Sequence, residues 1–342
     1  MGGGRRWGGV VWLLRRLIAS VAIVFAVVTL VFILIHLAPG DPCAVNDTET
    51  SDPIVCAQLV KQFGLGQPLP EQYGRYLVQV VVHGNLGYSF SLHRPVRDAL
   101  AETIPFTLEL GGVALLLDFV VGLWLGIYQA LRVNRLSDVV LSNVTLFVYS
   151  LPTFWLALVL LLLFAEKIKI FPLGGPSDPI LCPVIDSFYC VVDRIWHLML
   201  PALTLGLVGA AGTARFQRAA MLEVAQQDFV RTARAKGVSE RRVVLQHQLR
   251  NALLSFITRF GLTLPFLLTG AVLIETIFAW PGMGRLAVGG ILTRDHALVT
   301  AIALIASTMV VAGNLLADIL IGLVDPRVRV PAAPDAEPAL AT

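Results

Sequence analysis

Leu17-Ile-Ala-Ser-Val-Ala-Ile-Val-Phe-Ala-Val-Val-Thr-Leu-Val-Phe-Ile-Leu-Ile-His-Leu37 is broken only by Ser20, Thr29 and His36 and carries no acid, lysine or arginine. A hydrocarbon core about 30 Å thick needs about 20 apolar residues at 1.5 Å rise each, so this run is long enough to cross a bilayer. Arg15 and Arg16 precede it, as the charged region of a signal peptide would. The run exceeds the usual signal h-region, however, and Pro39-Gly40-Asp41-Pro42 offers no small-residue cleavage site. The reading is an uncleaved first transmembrane helix.

The rest of the chain matches that solvent. Of 342 residues, 56% are hydrophobic and 14% charged, with mean hydropathy +0.76. A soluble domain carries roughly 25% charged residues because its surface faces water. Five more runs approach spanning length: 106–130, 139–165, a short Gly-rich one at 198–214, 260–280 and 297–324. The expected fold is an all-α integral membrane protein with about six transmembrane helices. A net charge of +3 gives no support to a nucleic-acid partner.

Alternation of sides sorts the loops. The N-terminus with Arg5, Arg6, Arg15 and Arg16, the loop with Arg132 and Arg135, the run from Arg215 to Arg259, and Arg327 with Arg329 share one side and hold most of the 26 basic residues. Basic loops stay in the cytoplasm, which places both termini there, in a multi-pass protein of the inner (plasma) membrane. Cys43, Cys56, Cys182 and Cys190 then all fall outside, where disulfides form. Local pairing, Cys43 with Cys56 and Cys182 with Cys190, is the simplest of three connectivities, with free thiols the alternative. Neither pair has the CxxC spacing of a metal site, and none is predicted.

The expected organisation is a cytoplasmic start and first helix over 1–37, a small external helical subdomain over 38–103, a membrane domain of five helices over 104–326, and a disordered cytoplasmic tail over 327–342, where Pro and Ala accumulate. Within the external subdomain, Asp52–Gly64 and Glu71–His83 have helical apolar spacing.

The segment 221–250 is the most informative loop. It contains Asp228-Phe-Val-Arg231-Thr232-Ala233-Arg234-Ala235-Lys236-Gly237-Val-Ser239-Glu240-Arg241-Arg242. Gly237 suits a helix stop, because only glycine enters the left-handed region without a Cβ penalty. Ser239 suits an N-cap, with Glu240 in the first turn of the next helix. Two short helices joined by a tight turn would fit a partner's groove. A basic helix resting on anionic headgroups is the competing reading.

These residues resemble a family. Arg231 to Val243, continuing into His247-Gln-Leu-Arg-Asn251-Ala-Leu-Leu254, resembles the cytoplasmic "EAA" loop of binding-protein-dependent ABC importer permeases. The likeness is to the dipeptide/oligopeptide and nickel branch, first-subunit type. Leu37-Ala-Pro-Gly-Asp-Pro42, Phe63 to Tyr73, Gly84-Asn-Leu-Gly-Tyr-Ser89, Ser150-Leu-Pro-Thr-Phe-Trp155, His197-Leu-Met-Leu-Pro201, Glu275 to Gly284 and Asp325-Pro-Arg327 fit that branch in order. Arg231 stands where the general loop begins with an acid, and Ser255 where the branch often has Pro.

The resemblance implies a type I ABC importer membrane domain forming half of a translocation pathway for peptides. It implies a second homologous permease, two cytoplasmic ATPase subunits, an external substrate-binding protein and the bilayer as partners. The chain has no Gly-x-x-x-x-Gly-Lys-[Ser/Thr] loop. No cofactor is therefore expected on it; ATP-Mg would sit on the partners, and the chain would not be an enzyme. Residues 231–237 and 239–242 would couple to the ATPases, with Ala233 and Gly237 allowing close approach and Arg234, Lys236, Arg241 and Arg242 supplying charge pairs. Nickel or glutathione cargo, or a self-sufficient secondary transporter, are the alternatives.

Ionised groups inside a bilayer cost at least roughly 2.5 kcal/mol at its centre. Glu109 and Asp118 are therefore candidates to line the pathway, and helix–helix hydrogen bonding, with Asn143 or Asn314 as partner, is the other reading. Asp318, near a helix end, is read as a helix–helix contact. The orientation is testable: a C-terminal fluorescent-protein fusion is expected to fluoresce and a C-terminal alkaline phosphatase fusion to be inactive, and the reverse pattern would invert the topology.

Overall fold

The computed structural model describes residues 3–37, 44–46, 49–50, 67–182, 187–253, 256–257, 259–260, 263 and 272–324. The Cys43–Cys56 pairing, the proposed helix over 52–64, residues 261–262 and 264–271 of the fifth apolar run and the tail lie outside them.

The first apolar run is part of α1 (Gly3–Leu37), whose window Leu14–Leu34 has mean hydropathy 3.1. Two short hairpins, β1–β2 (Ala44–Asn46, Glu49–Thr50) and β3–β4 (Tyr88–Ser89, Arg94–Pro95), flank α2 (Leu69–His83). Then come α3 (Val96–Leu131), α4 (Leu136–Ser150), and α5 (Thr153–Leu160) running into a π-helical stretch to Lys167. The long α6 (Ser187–Ala225) is followed by α7 (Asp228–Ala235), α8 (Glu240–Arg242) with a π-helical continuation to Leu249, α9 (Val272–Ile277), α10 (Met283–Leu292) and α11 (His296–Val324).

Among the described residues four helices are long and apolar enough to span, α1, α3, α6 and α11, and the α4–α5 pair supplies a fifth if counted as one. The third apolar run is thus not one straight helix: it bends by 103° between Ser150 and Thr153. Pro152 lacks an N–H and pushes the preceding residue out of the α region, and Leu151 sits at φ −74°, ψ 137°. The fourth run, short by hydropathy, is the middle of the 39-residue α6.

The bundle is organised on α3 and α6, which lie side by side. Gly122 abuts Thr213, Gly126 abuts Gln217, and Gly209 abuts Asp118, a constant offset in sequence that only parallel helices give. A Cβ on Gly122 would lie 2.7 Å from the Thr213 Cβ, one on Gly126 2.6 Å from the Ala214 carbonyl, and one on Gly206 2.7 Å from the Leu117 Cβ. Helices in lipid associate through such close van der Waals approach rather than hydrophobic exclusion. Around this seam Leu110, Ala157, Leu198, Leu200, Ile274, Phe278 and Trp280 form one core, tying in α5, α9 and the turn after it. At the other edge α1 rests on α11, where Arg16 and Asp318 pair at 2.7 Å; the reading of Asp318 as a helix–helix contact agrees.

Outside the seam, Cys182 and Cys190 form the expected local disulfide. Asp178 tightens the same loop by accepting from the amides of Ile180 (2.8 Å) and Leu181 (3.0 Å), and those amides hold its carboxyl below the usual range.

Overpacking typically costs about 1–3 kcal/mol, so Gly126→Leu is expected to lower the thermal stability of the detergent-solubilised protein by that amount. Gly112→Ala, which meets nothing within 4 Å, is expected to leave it unchanged; equal effects would remove the seam from its central place.

Candidate functional site

The segment read as a coupling knob folds as a compact unit at one end of the α3–α6 seam. α7 begins after Gln227 and stops at Lys236. Gly237 has φ +76°, the left-handed conformation expected of it. The amide of Val238 donates to the Ala233 carbonyl (3.3 Å) and that of Gly237 to the Arg234 carbonyl (2.9 Å), closing the helix C-terminus. Ser239 occupies the N-cap position of α8, but its side chain makes no capping hydrogen bond. Its carbonyl accepts from the amides of Arg242 and Val243 instead.

Which side of the knob faces outward differs from expectation at Ala233. Ala233 is buried with Val230, Val243, Ala252, Ala220, Met221 and Val224, so it packs the knob onto the end of α6 rather than meeting a partner. Arg234 stays exposed, and its guanidinium is engaged within the knob, donating to Glu240 at 2.7 and 3.1 Å. That pairing holds the Glu240 carboxyl below the usual range. The bridge therefore supports the turn at neutral pH and loses its contribution as pH falls through that lowered value; being exposed, it is worth under about 1 kcal/mol. Thr232 donates to the Asp228 carbonyl (2.8 Å), a local bond. The exposed surface includes Arg231, Thr232, Arg234, Ala235, Lys236, Gly237, Ser239, Glu240, Arg241 and Arg242, and Phe229 and Leu245 of the same segment are exposed as well.

The two acids read as pathway candidates are both engaged. Glu109 forms an ion pair with Arg194 of α6, whose guanidinium also lies over the Phe106 ring, 4.4 Å from its centroid. Asp118 is 3% exposed and accepts from the Thr213 hydroxyl at 2.6 Å, not from Asn143 or Asn314. Thr213 accepts in turn from Arg259 Nε (3.0 Å). Arg259 belongs with this buried group between helices, not with the basic loop to which sequence position alone assigns it.

Three further acids, Asp138, Glu275 and Asp295, carry the architecture and were not read from sequence as site residues. Asp138, 2% exposed, takes two parallel hydrogen bonds from Arg218, both 2.8 Å, and thereby clamps α4 to α6. Glu275 is fully buried: it accepts from the Thr107 hydroxyl (3.0 Å) and the Arg285 amide (2.9 Å), capping α10 through its side chain. A Cβ on Gly284 would lie 2.9 Å from that carboxylate, which accounts for the glycine. Asp295 caps α11 at the Leu298 amide (3.1 Å) and holds the hydroxyls of Ser89 (2.5 Å) and Ser91 (2.8 Å), fastening the second hairpin to the bundle. The available signal was an acid just upstream of a Gly-rich or apolar helix start, Glu275 before Pro281-Gly282-Met283-Gly284 and Asp295 before α11.

Residues 122–330 match the family described as "Binding-protein-dependent transport system inner membrane component", and residues 10–111 match "Binding-prot-dependent transport system membrane comp, N-term". The chain belongs to this family. Among its relatives is the di/tripeptide transport system permease protein DppB of Pseudomonas aeruginosa (strain UCBPP-PA14), 40% identical over 328 residues, covering 92% of this chain and 97% of the relative. The oligopeptide transport system permease protein AppB of Bacillus subtilis (strain 168) is 35% identical, covering 93% and 99%. The dipeptide transport system permease protein DppB of Escherichia coli (strain K12) is also 35% identical, covering 93% and 98%. For an inner membrane transport component, the α3–α6 seam, its polar clamps and the knob below it form a single packed body.

Removing one partner of a buried ion pair costs about 3–5 kcal/mol, while replacing both by apolar groups is often nearly neutral. Asp138→Leu is expected to lose stability near the lower end of that range, because Arg218 keeps 28% side-chain exposure. Asp138→Leu with Arg218→Met is expected to regain most of it; additive losses in thermal unfolding of the purified protein would show that the clamp is not a coupled pair.

Proposed function

We propose that this chain is one permease half of an ATP-driven importer for short peptides, with both termini in the cytoplasm. The cargo class follows the names of its relatives, di/tripeptide, dipeptide and oligopeptide permeases. ATP is bound and hydrolysed by two separate cytoplasmic subunits. A second homologous permease completes the pathway, and a binding protein outside delivers the peptide.

The observation that carries this reading is the construction of the knob. Val230, Ala233 and Val243 root it in the end of α6, and its opposite surface presents Arg231, Lys236, Arg241 and Arg242 around Phe229 and Leu245. A helix lying on headgroups would turn its apolar side to lipid. Here the principal apolar residues are spent on the bundle, and the basic side is left to a protein groove. Because the root is packed rather than hinged, closure of the ATPase pair displaces knob, α6 and α3 as one body. Glu109 and Asp118 tune the lining of that body: Asp118 through Thr213 and Arg259 at its centre, Glu109 through Arg194 toward the other end.

The test is ATP-dependent uptake of a labelled tripeptide into proteoliposomes holding both permeases, both ATPases and the receptor. The chain alone is expected to give none. Arg241→Glu with Arg242→Glu is expected to cut uptake at least tenfold and to release the ATPases on co-purification, with the melting temperature of the chain unchanged. Uptake by the chain alone, or full activity of the charge-reversed variant, would defeat the reading.

A further inference from the structure

Helix α2 falls in the segment that sequence assigns to an external subdomain, yet its contacts lie at membrane depth. The ring of Tyr73 stands 5.0 Å from Phe32 and 6.3 Å from Phe25 of α1, and its hydroxyl is hydrogen-bonded to Thr29. Tyr76 lies 6.0 Å from Phe32. Arg16, paired with Asp318, marks one edge of the α1 span. Counting from it at 1.5 Å per residue, Phe25 lies about 14 Å in, Thr29 about 20 Å and Phe32 about 24 Å. All three fall within a hydrocarbon core about 30 Å thick.

The sides of α2 agree with that depth. Glu71, Arg75, Gln79 and His83 recur every fourth residue and form one exposed stripe, polar but for Val82 (70% exposed). Tyr73 and Tyr76 face α1, and Tyr73, the one farther round from the polar stripe, makes the deeper contacts. The remaining sector holds Leu77 with Val78 and Val81, the last two 51% and 77% exposed, and no residue of α2 is buried. On α1, the helix that Tyr73 and Tyr76 touch, Leu30, Ile33 and Leu34 are likewise 58%, 47% and 56% exposed.

We infer that α2 is a lipid-seated helix, lying in the interface of the leaflet remote from Arg16, with its Leu77–Val81 side among phospholipid acyl chains and its polar stripe toward water. Tyr73 and Tyr76 moor it to α1. The helix thereby widens the lipid-facing footprint of α1, which is otherwise held to the bundle through α11. This seating is independent of what the importer carries.

The experiment uses the assembled importer in phosphatidylcholine proteoliposomes, with single cysteines introduced by Val78→Cys, Gln79→Cys or Val81→Cys and labelled with an NBD fluorophore; labelling of the unsubstituted chain is subtracted. Labels at 78 and 81 are expected to be quenched at least twofold by lipid carrying a doxyl group near the glycerol and to resist aqueous iodide, while the label at 79 does the reverse. On the unsubstituted protein, a lipid with a photoreactive acyl chain is expected to crosslink to the peptide containing Leu77–Val82, read by mass spectrometry. Iodide quenching at 81 equal to that at 79 would place α2 in water. Shielding of 81 from both quenchers, with no crosslink, would assign the valine side to the second permease or the receptor; either result overturns the inference.

Discussion

In lipid no hydrophobic force presses two apolar helices together, because the hydrocarbon around them is as apolar as they are. The α3–α6 pair is therefore held by approach close enough for dispersion to accumulate over many atoms. Gly122, Gly126, Gly206 and Gly209 make that approach possible, each leaving space that the neighbouring helix fills. Every other contact described for the bundle is placed relative to this seam. The Trp280 core lies against one end of it and the knob against the other, with the Asp118–Thr213–Arg259 group between them.

A close-packed seam has a second consequence. Acids set into or beside it are poorly served by water, and each of the following takes a partner from another element. Asp118 finds Thr213, Asp138 finds Arg218, Glu109 finds Arg194, and Glu275 finds Thr107 and the start of α10. These pairings give direction to what is otherwise a non-directional apolar contact. They specify which residues face each other and stop the helices from sliding by a turn.

Much of this was legible in one dimension. Hydrocarbon thickness sets a length that any spanning helix must meet, so apolar runs reveal helices without knowledge of neighbours. Gly237 was recognisable as a helix stop because its requirement is local, a left-handed backbone next to a helix end. The Cys182–Cys190 pairing was readable because the two residues are separated by a short loop. By contrast, Ala233 looked like a partner contact, and Arg259 like one more basic loop residue. Which side of a two-turn helix meets its own protein depends on where the end of α6 lies, and the loop sequence does not contain that information.

The sequence by itself determined a multi-helix membrane protein, its family, and the position of the Gly237 turn within the knob, since bilayer thickness and backbone sterics act on the local chain. Tertiary structure alone decided the parallel α3–α6 pairing, the partners of Asp118 and Asp138, the capping role of Glu275 and the depth of α2 beside α1. Each of these joins residues far apart in the chain. Their energies arise from one helix supplying what another lacks in a medium without water, a relation that no single segment can express.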